Sequence, residues 1–134
     1  MALIEIVREV RLTPADAWAR LTDWDRHGDF VPLTSIVRTP TGFDAFTGVG
    51  PIGFHDPMDV VQWDDPSFCR LEKRGRVVTG WAELRVEAVP AGSRISWRED
   101  IHVRGTPSLL DGLTRASSRA LFSRVIDGLL AHAP

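Results

Sequence analysis

The chain opens on an alternation of apolar and polar positions: Ile4, Ile6, Val10 and Leu12 hold even positions, while Glu5, Glu9 and Arg11 hold odd ones. Side chains of an extended strand point alternately to opposite faces, so this segment predicts a half-buried strand with an apolar even face. At Thr13-Pro14-Ala15-Asp16 the pattern changes to a helix start, with a hydroxyl to cap free amides, proline in the first turn and a carboxylate beside it. That helix runs to about Asp23. A second short helical piece spans Trp24 to Phe30 and is closed by Pro32, because proline disfavours helical geometry in the residue before it. The two pieces form an elbow.

Six extended runs follow: Leu33 to Arg38, Phe43 to Phe46, Met58 to Trp63, Phe68 to Arg74, Trp81 to Val89 and Arg94 to Val103. Turns such as Thr39-Pro40-Thr41-Gly42 and Pro90-Ala91-Gly92-Ser93 are too short for parallel crossovers and predict antiparallel hairpins, with Gly48 to Pro57 as a glycine-rich loop. Thr106-Pro107 repeats the hydroxyl-then-proline helix opening, and Ser108 to His132 contains no proline. A helix of about 25 residues is about 37 Å long. Its apolar residues, Leu109, Leu113, Leu121 and Ile126 among them, drift around the axis, so the helix should be covered on more than one side. Gly112 and Gly128 weaken it by about 1 kcal/mol each relative to alanine, a loss that close approach of a neighbouring backbone would offset. The element order predicts one α+β domain over residues 1–134. A curved seven-stranded antiparallel sheet wraps a long C-terminal helix, two short helices separate strands 1 and 2, and a cavity remains where the sheet curls without filling the interior.

This order, with Val10-Arg11-Leu12-Thr13-Pro14-Ala15-Asp16-Ala17-Trp18 at the front, the Asp64-Asp65-Pro66 turn and Gly92-Ser93-Arg94-Ile95-Ser96-Trp97 before the last strand, resembles the START-like (SRPBCC) superfamily. These are the polyketide cyclase/dehydrase and lipid-transport proteins, with the Bet v 1-like helix-grip fold. The resemblance covers nearly the whole chain and implies a cavity between sheet and C-terminal helix that accepts an apolar or polycyclic small molecule. It rests on apolar positions and turns and contains no catalytic signature, so it speaks for fold more than for activity.

Composition narrows the field further. With 134 residues the chain has room for one core, and 43% apolar with 25% charged residues is the composition of a folded domain. Sixteen basic against eighteen acidic side chains give a formal charge of −2, which provides no general pull toward nucleic acid or anionic lipid. Cys69 is the single cysteine and has no disulfide partner within the chain. No apolar run approaches the roughly 20 residues that span a bilayer, and charges interrupt the N-terminal stretch where a secretion signal would be apolar. The expectation is a cytoplasmic monomer or homodimer with no nucleic-acid partner and no stable membrane insertion.

Candidate chemistry is sparse. Gly48-Val49-Gly50-Pro51-Ile52-Gly53 matches G-x-G-x-x-G, but prolines flank it and a strand follows where the dinucleotide fingerprint needs a helix, so it is read as a plain connection at the cavity rim. His27, His55, His102 and His132 show no metal-ligand spacing, and neither a cofactor nor a metal is expected. Cys69 should face inward as a small apolar group. Two charges fall on faces that should be dry: Arg8 on the first strand and Glu99 on the last. Buried charges need partners, so an Arg8–Glu99 ion pair is the economical reading, with a ligand-orienting role as the alternative. Lys73, the only lysine among fifteen arginines, could be turned inward by the alternation from Cys69 through Leu71, and near a strand end it is read as extending its amine to water rather than as a nucleophile. Trp18 reads as core. Trp24, Trp81 and Trp97 are candidates to stack on a flat ligand, and Arg8, Phe30, Glu99, Leu110 and Leu113 complete the expected ligand-binding set. The first functional reading is a carrier or sensor of a lipid- or polyketide-like molecule. The second is a cyclase or dehydratase with Glu99 as base, Arg8 as carbonyl stabiliser and His27, His55 or His102 as acid. The third is a protein-interaction module whose cavity is filled by its own side chains.

Overall fold

A computed structural model describes residues 2–105 and 107–132 of the chain. The elements are β1 (Ala2–Val10), α1 (Pro14–Leu21), α2 (Trp24–His27) with a 3-10 turn at Gly28–Phe30, β2 (Thr34–Thr39), β3 (Gly42–Val49), β4 (Ile52–Asp64), β5 (Phe68–Arg74), β6 (Val78–Val89), β7 (Gly92–Val103), a 3-10 turn at Ser108–Leu110, and α3 (Asp111–Ala131). The seven strands form one sheet in the order β1-β7-β6-β5-β4-β3-β2, antiparallel throughout. This is the predicted architecture.

Local chemistry explains the front of the chain. Thr13 caps α1, its Oγ1 accepting the Asp16 N–H at 3.1 Å, with Pro14 in the first turn where its missing N–H costs nothing. Trp18 and Leu21 on α1 then pack with Val125, Ile126 and Leu129 of α3 and with Ile4, Ile6, Leu84 and Ile95 of the sheet in one core. Sheet faces obey strict alternation: Cys69 and Leu71 on β5, Ala82, Leu84 and Val86 on β6, and Ser93, Ile95 and Trp97 on β7 are all buried.

Two boundaries depart from the sequence reading. Residues 48–57 are not a loop: β3 continues to Val49, Gly50 and Pro51 make the turn, and β4 starts at Ile52. Pro57 pairs with Asp44 of β3, while the β5 ladder reaches β4 only from Met58 onward, so the proline lies where that edge of β4 has no strand partner to donate to. The long helix is also shorter than expected, because its first three residues form a 3-10 turn and α3 begins at Asp111, with Leu110 at the cap position and no side-chain cap. Thr106, the expected cap, lies outside the described residues.

Gly128 is where α3 comes close to another element. The neighbour is the Phe30 ring rather than a backbone, and a Cβ at residue 128 would overlap it. Gly112 has open space around it, so the predicted close approach holds at one glycine of the two and with a different kind of partner. No helix among the described residues is long and apolar enough to cross a membrane.

Candidate functional site

Between the concave face of the sheet and the middle of α3 lies a cavity of about 280 Å³. Its walls come from alternate positions of β2 to β7, from His27 and Val31 at the elbow, and from Ser118, Leu121, Phe122 and Val125 on α3. The floor is open because β6 presents small residues inward. Ala82 stands in register between Leu71 of β5 and Glu99 of β7, and Gly80 between Lys73 and Ile101. Gly80 has φ +128, and a Cβ there would collide with the Asp100 carbonyl, so no larger side chain can close that gap.

Four ionisable groups line this otherwise apolar space: His27, Asp56, Lys73 and Glu99. Glu99 is 1% exposed, and neither carboxyl oxygen has a hydrogen-bond partner. Burial pushes its pKa up to about 7; the Lys73 charge and the Trp97 side chain oppose this, and the nearby Asp56 reinforces it. Lys73 is also buried, and its Nζ donates to Asp56 Oδ2 at 2.9 Å and lies 3.6 Å from Met58 Sδ. His27 Nε2 is 2.8 Å from the Leu21 carbonyl, an acceptor, so Nε2 carries the proton and Nδ1 is left as the acceptor. Burial pulls the His27 pKa down to about 4, keeping the ring neutral. Trp97, 4% exposed, lies on the cavity wall against Phe122, with ring centroids 6.4 Å apart, and its indole N–H is unpartnered.

Of the residues singled out from the sequence, Trp97 and Glu99 stand on the cavity and His27 joins them. The rest do not. Arg8 does not meet Glu99: their strands are adjacent as expected, but Glu99 faces Ile4 across the ladder, and Arg8 Nε instead donates to Asp127 of α3 at 2.9 Å, outside the cavity. Trp24 is core, stacked on Phe43 at 5.0 Å behind the cavity wall. Phe30 packs against Gly128 and stacks on His132. Trp81 is on the outer face of β6, with the Arg70 guanidinium 4.8 Å from its ring. Leu110 and Leu113 are exposed, because the helix reaches the cavity one to three turns later, from Ser118 to Val125. His55 is on the outer face of β4, its Nδ1 2.7 Å from Asp44, and His102 is exposed on β7. Cys69 is buried, and desolvation pushes its thiol up to about 12, so it is not a nucleophile at neutral pH. Among the described residues no group of three or more potential metal ligands is assembled.

Sequence reasoning missed Asp56 and gave Lys73 the wrong surroundings. Asp56 shares its parity with Phe54, Met58 and Val60, so extending the β4 alternation four residues back through Pro57 would have turned it inward. With Asp56 inside, the lone lysine has a carboxylate to meet and no need to reach water.

A family model described as polyketide cyclase / dehydrase and lipid transport matches residues 1–133. The chain belongs to that family. Solved structures similar to it include Ara h 8.0201, at 14% identity and TM-score 0.69 over 97% of this chain and 98% of that one. The di-domain ARO/CYC StfQ from the steffimycin biosynthetic pathway is similar at 15% identity and TM-score 0.77, with 98% of this chain matching 50% of that one. The Aha1 dimer from Colwellia psychrerythraea is similar at 12% identity and TM-score 0.65, over 97% of each chain. At such identities the likeness is one of fold, the Bet v 1-like helix-grip architecture. No curated protein sequence matches the chain.

Proposed function

We propose that this protein binds a small, flat, largely apolar molecule in the cavity between sheet and α3. The observation that carries this reading is the unfilled 280 Å³ space itself, close to the lower end of the size range of small-molecule pockets and lined by apolar side chains with a few convergent polar groups. An open cavity removes the premise of the filled interaction module. Phe54 and Val31 at the rim, with Trp97 and Phe122 inside, supply the aromatic and branched surface that a planar ring system packs against. Family membership and the neighbours named above support a ligand-binding module without naming its ligand.

The test is occupancy. Native mass spectrometry of the purified protein is expected to retain a co-purifying small molecule or to show one-to-one uptake of an added polycyclic dye. Ala45→Phe, which fills the cavity from β3, is expected to abolish uptake while leaving the circular dichroism spectrum unchanged. Uptake that survives this plug in a folded variant overturns the proposal. A second reading, proton-transfer catalysis of the cyclase or dehydratase kind, is favoured by Glu99 alone: a carboxyl titrating near pH 7 can both take and return a proton. If Glu99→Gln keeps ligand affinity yet abolishes turnover of a poly-ketone substrate, the catalytic reading replaces the carrier; if the unaltered protein binds such substrates without converting them, the carrier stands.

A further inference from the structure

The polar inventory of the cavity is lopsided. Both oxygens of Glu99 and Oδ1 of Asp56 are buried without a well-formed hydrogen bond, and Nδ1 of His27 is an acceptor by elimination; against these four acceptors stand the Trp97 indole N–H, which acts on Glu99, and the Ser118 hydroxyl. The cation in the cavity is already engaged, since the Lys73 ammonium rests on Asp56 Oδ2. The hydroxyls of Thr34 and Thr47 lie 2.8 Å apart and satisfy each other. Charge follows the same direction: one lysine against two carboxyl groups line the space. A buried acceptor left unpaired loses the hydrogen bonds it had in water, so an occupant that restores them gains what a purely apolar one forgoes.

From this excess of acceptors we infer that the cavity selects apolar molecules bearing a protonated amine, with the ammonium seated between Glu99 and Asp56 and the hydrocarbon body against Trp97 and Phe122. This rests on the ligand-binding reading above and narrows it. An ammonium carries three donors and the missing positive charge. An alcohol or phenol brings one donor and no charge. A carboxylate or phosphate would meet two carboxyl groups with the lysine already taken. Register makes the seat possible: Lys73 and Glu99 stand on either side of β6, in adjacent inward rows, and only Gly80 and Ala82 lie between them. The Asp56–Lys73 pair then fixes one wall of the seat, and the free carboxyl of Glu99 forms the other.

The experiment is a titration of the whole protein with phenyl, naphthyl and anthracenyl scaffolds, each carrying an ethylamine, a hydroxyethyl or an acetate group, followed by isothermal calorimetry and intrinsic tryptophan fluorescence. On the scaffold that fits, the amine is expected to bind at least about tenfold more tightly than the alcohol, the gain of a charge-assisted hydrogen bond over a neutral one, with the acetate weakest. Amine binding at pH 7 should also release protons, seen as a dependence of the heat on buffer ionisation that alcohol binding lacks, because the ammonium favours ionised Glu99. Glu99→Gln should bring amine and alcohol affinities to within about twofold of each other, and Asp56→Asn should shrink the amine preference; a preference left intact in both folded variants overturns the seat, and the ranking in the unaltered protein needs no variant. If alcohols bind and amines show no preference, or if the acetates bind best, the inference falls while the ligand-binding reading stands. If nothing binds on any scaffold, both fall.

Discussion

Replacing Glu99 by glutamine removes a buried carboxyl's ionisation and leaves its shape. In the folded protein burial raises the Glu99 pKa from 4.5 to about 7. The folded state therefore holds a proton that the unfolded chain has lost across the interval from about pH 4.5 to 7, and stability contributed by this group falls as pH rises through that window. A tenfold change in an ionisation constant is worth about 1.4 kcal/mol, so the whole interval amounts to about 3 kcal/mol. His27 acts oppositely: its pKa drops from 6.5 to about 4, so it loses stability as pH falls through its own window. Comparing Glu99→Gln with the unaltered protein cancels that contribution, because His27 is present in both. Urea denaturation at pH 4 and pH 8.5 is the assay. The stability of the variant relative to the parent is expected to rise by about 3 kcal/mol between the two pH values. A difference that stays constant to within about 1 kcal/mol would show that water or a counter-charge reaches Glu99, and the desolvated carboxyl on which the site is built would not exist.

Three further outcomes are expected. Lys73→Met strips Asp56 of its ion-pair partner and should cost about 3 kcal/mol in urea denaturation at pH 7, the low end for breaking a buried pair, with much of the loss recovered when Asp56→Leu is added. Arg8→Ala should cost under about 1 kcal/mol, because Arg8 and Asp127 are 35% and 55% exposed, and it should leave ligand affinity unchanged in the same calorimetric titration. Gly128→Ala should lower thermal stability although alanine favours helix by about 1 kcal/mol, because the new methyl group overlaps the Phe30 ring; in a Phe30→Ala background the same change should become stabilising.

The sequence made the frame legible because the frame is periodic. Alternation gave the strands, Thr13-Pro14 gave the first helix, and short turns gave antiparallel pairing. It also put Glu99 on a dry face. What it withheld were partners, since a strand's parity tells which face a charge is on and says nothing of what crosses from another element. Arg8 and Glu99 share the inner face of neighbouring strands, yet the nearest anion to Arg8 comes from α3 and the nearest cation to Glu99 from β5. The tryptophans show the same limit. Trp24 and Trp97 are equally apolar and equally buried, and only the packing of Phe43 against Trp24 decides that one is wall backing and the other is wall. Leu110 and Leu113 failed for a geometric reason: they face solvent ahead of the helix turns, from Ser118 on, that line the cavity.

The pairing of β1 with β7 joins residues more than eighty positions apart along the whole length of both strands. Closing so long a segment costs about 3 kcal/mol more entropy than closing a four-residue turn, so β1 is expected to join the sheet after the hairpins between β2 and β7 have formed. Until then β1 is a half-apolar strand with both edges unpaired, and afterwards one of its edges remains at the border of the sheet. Its outer face carries Glu5 and Glu9, which later meet Arg98 and Arg94 but in the waiting chain serve as like-charged guards against self-association. Neutralising both should leave the finished fold almost untouched and show its damage in refolding yield.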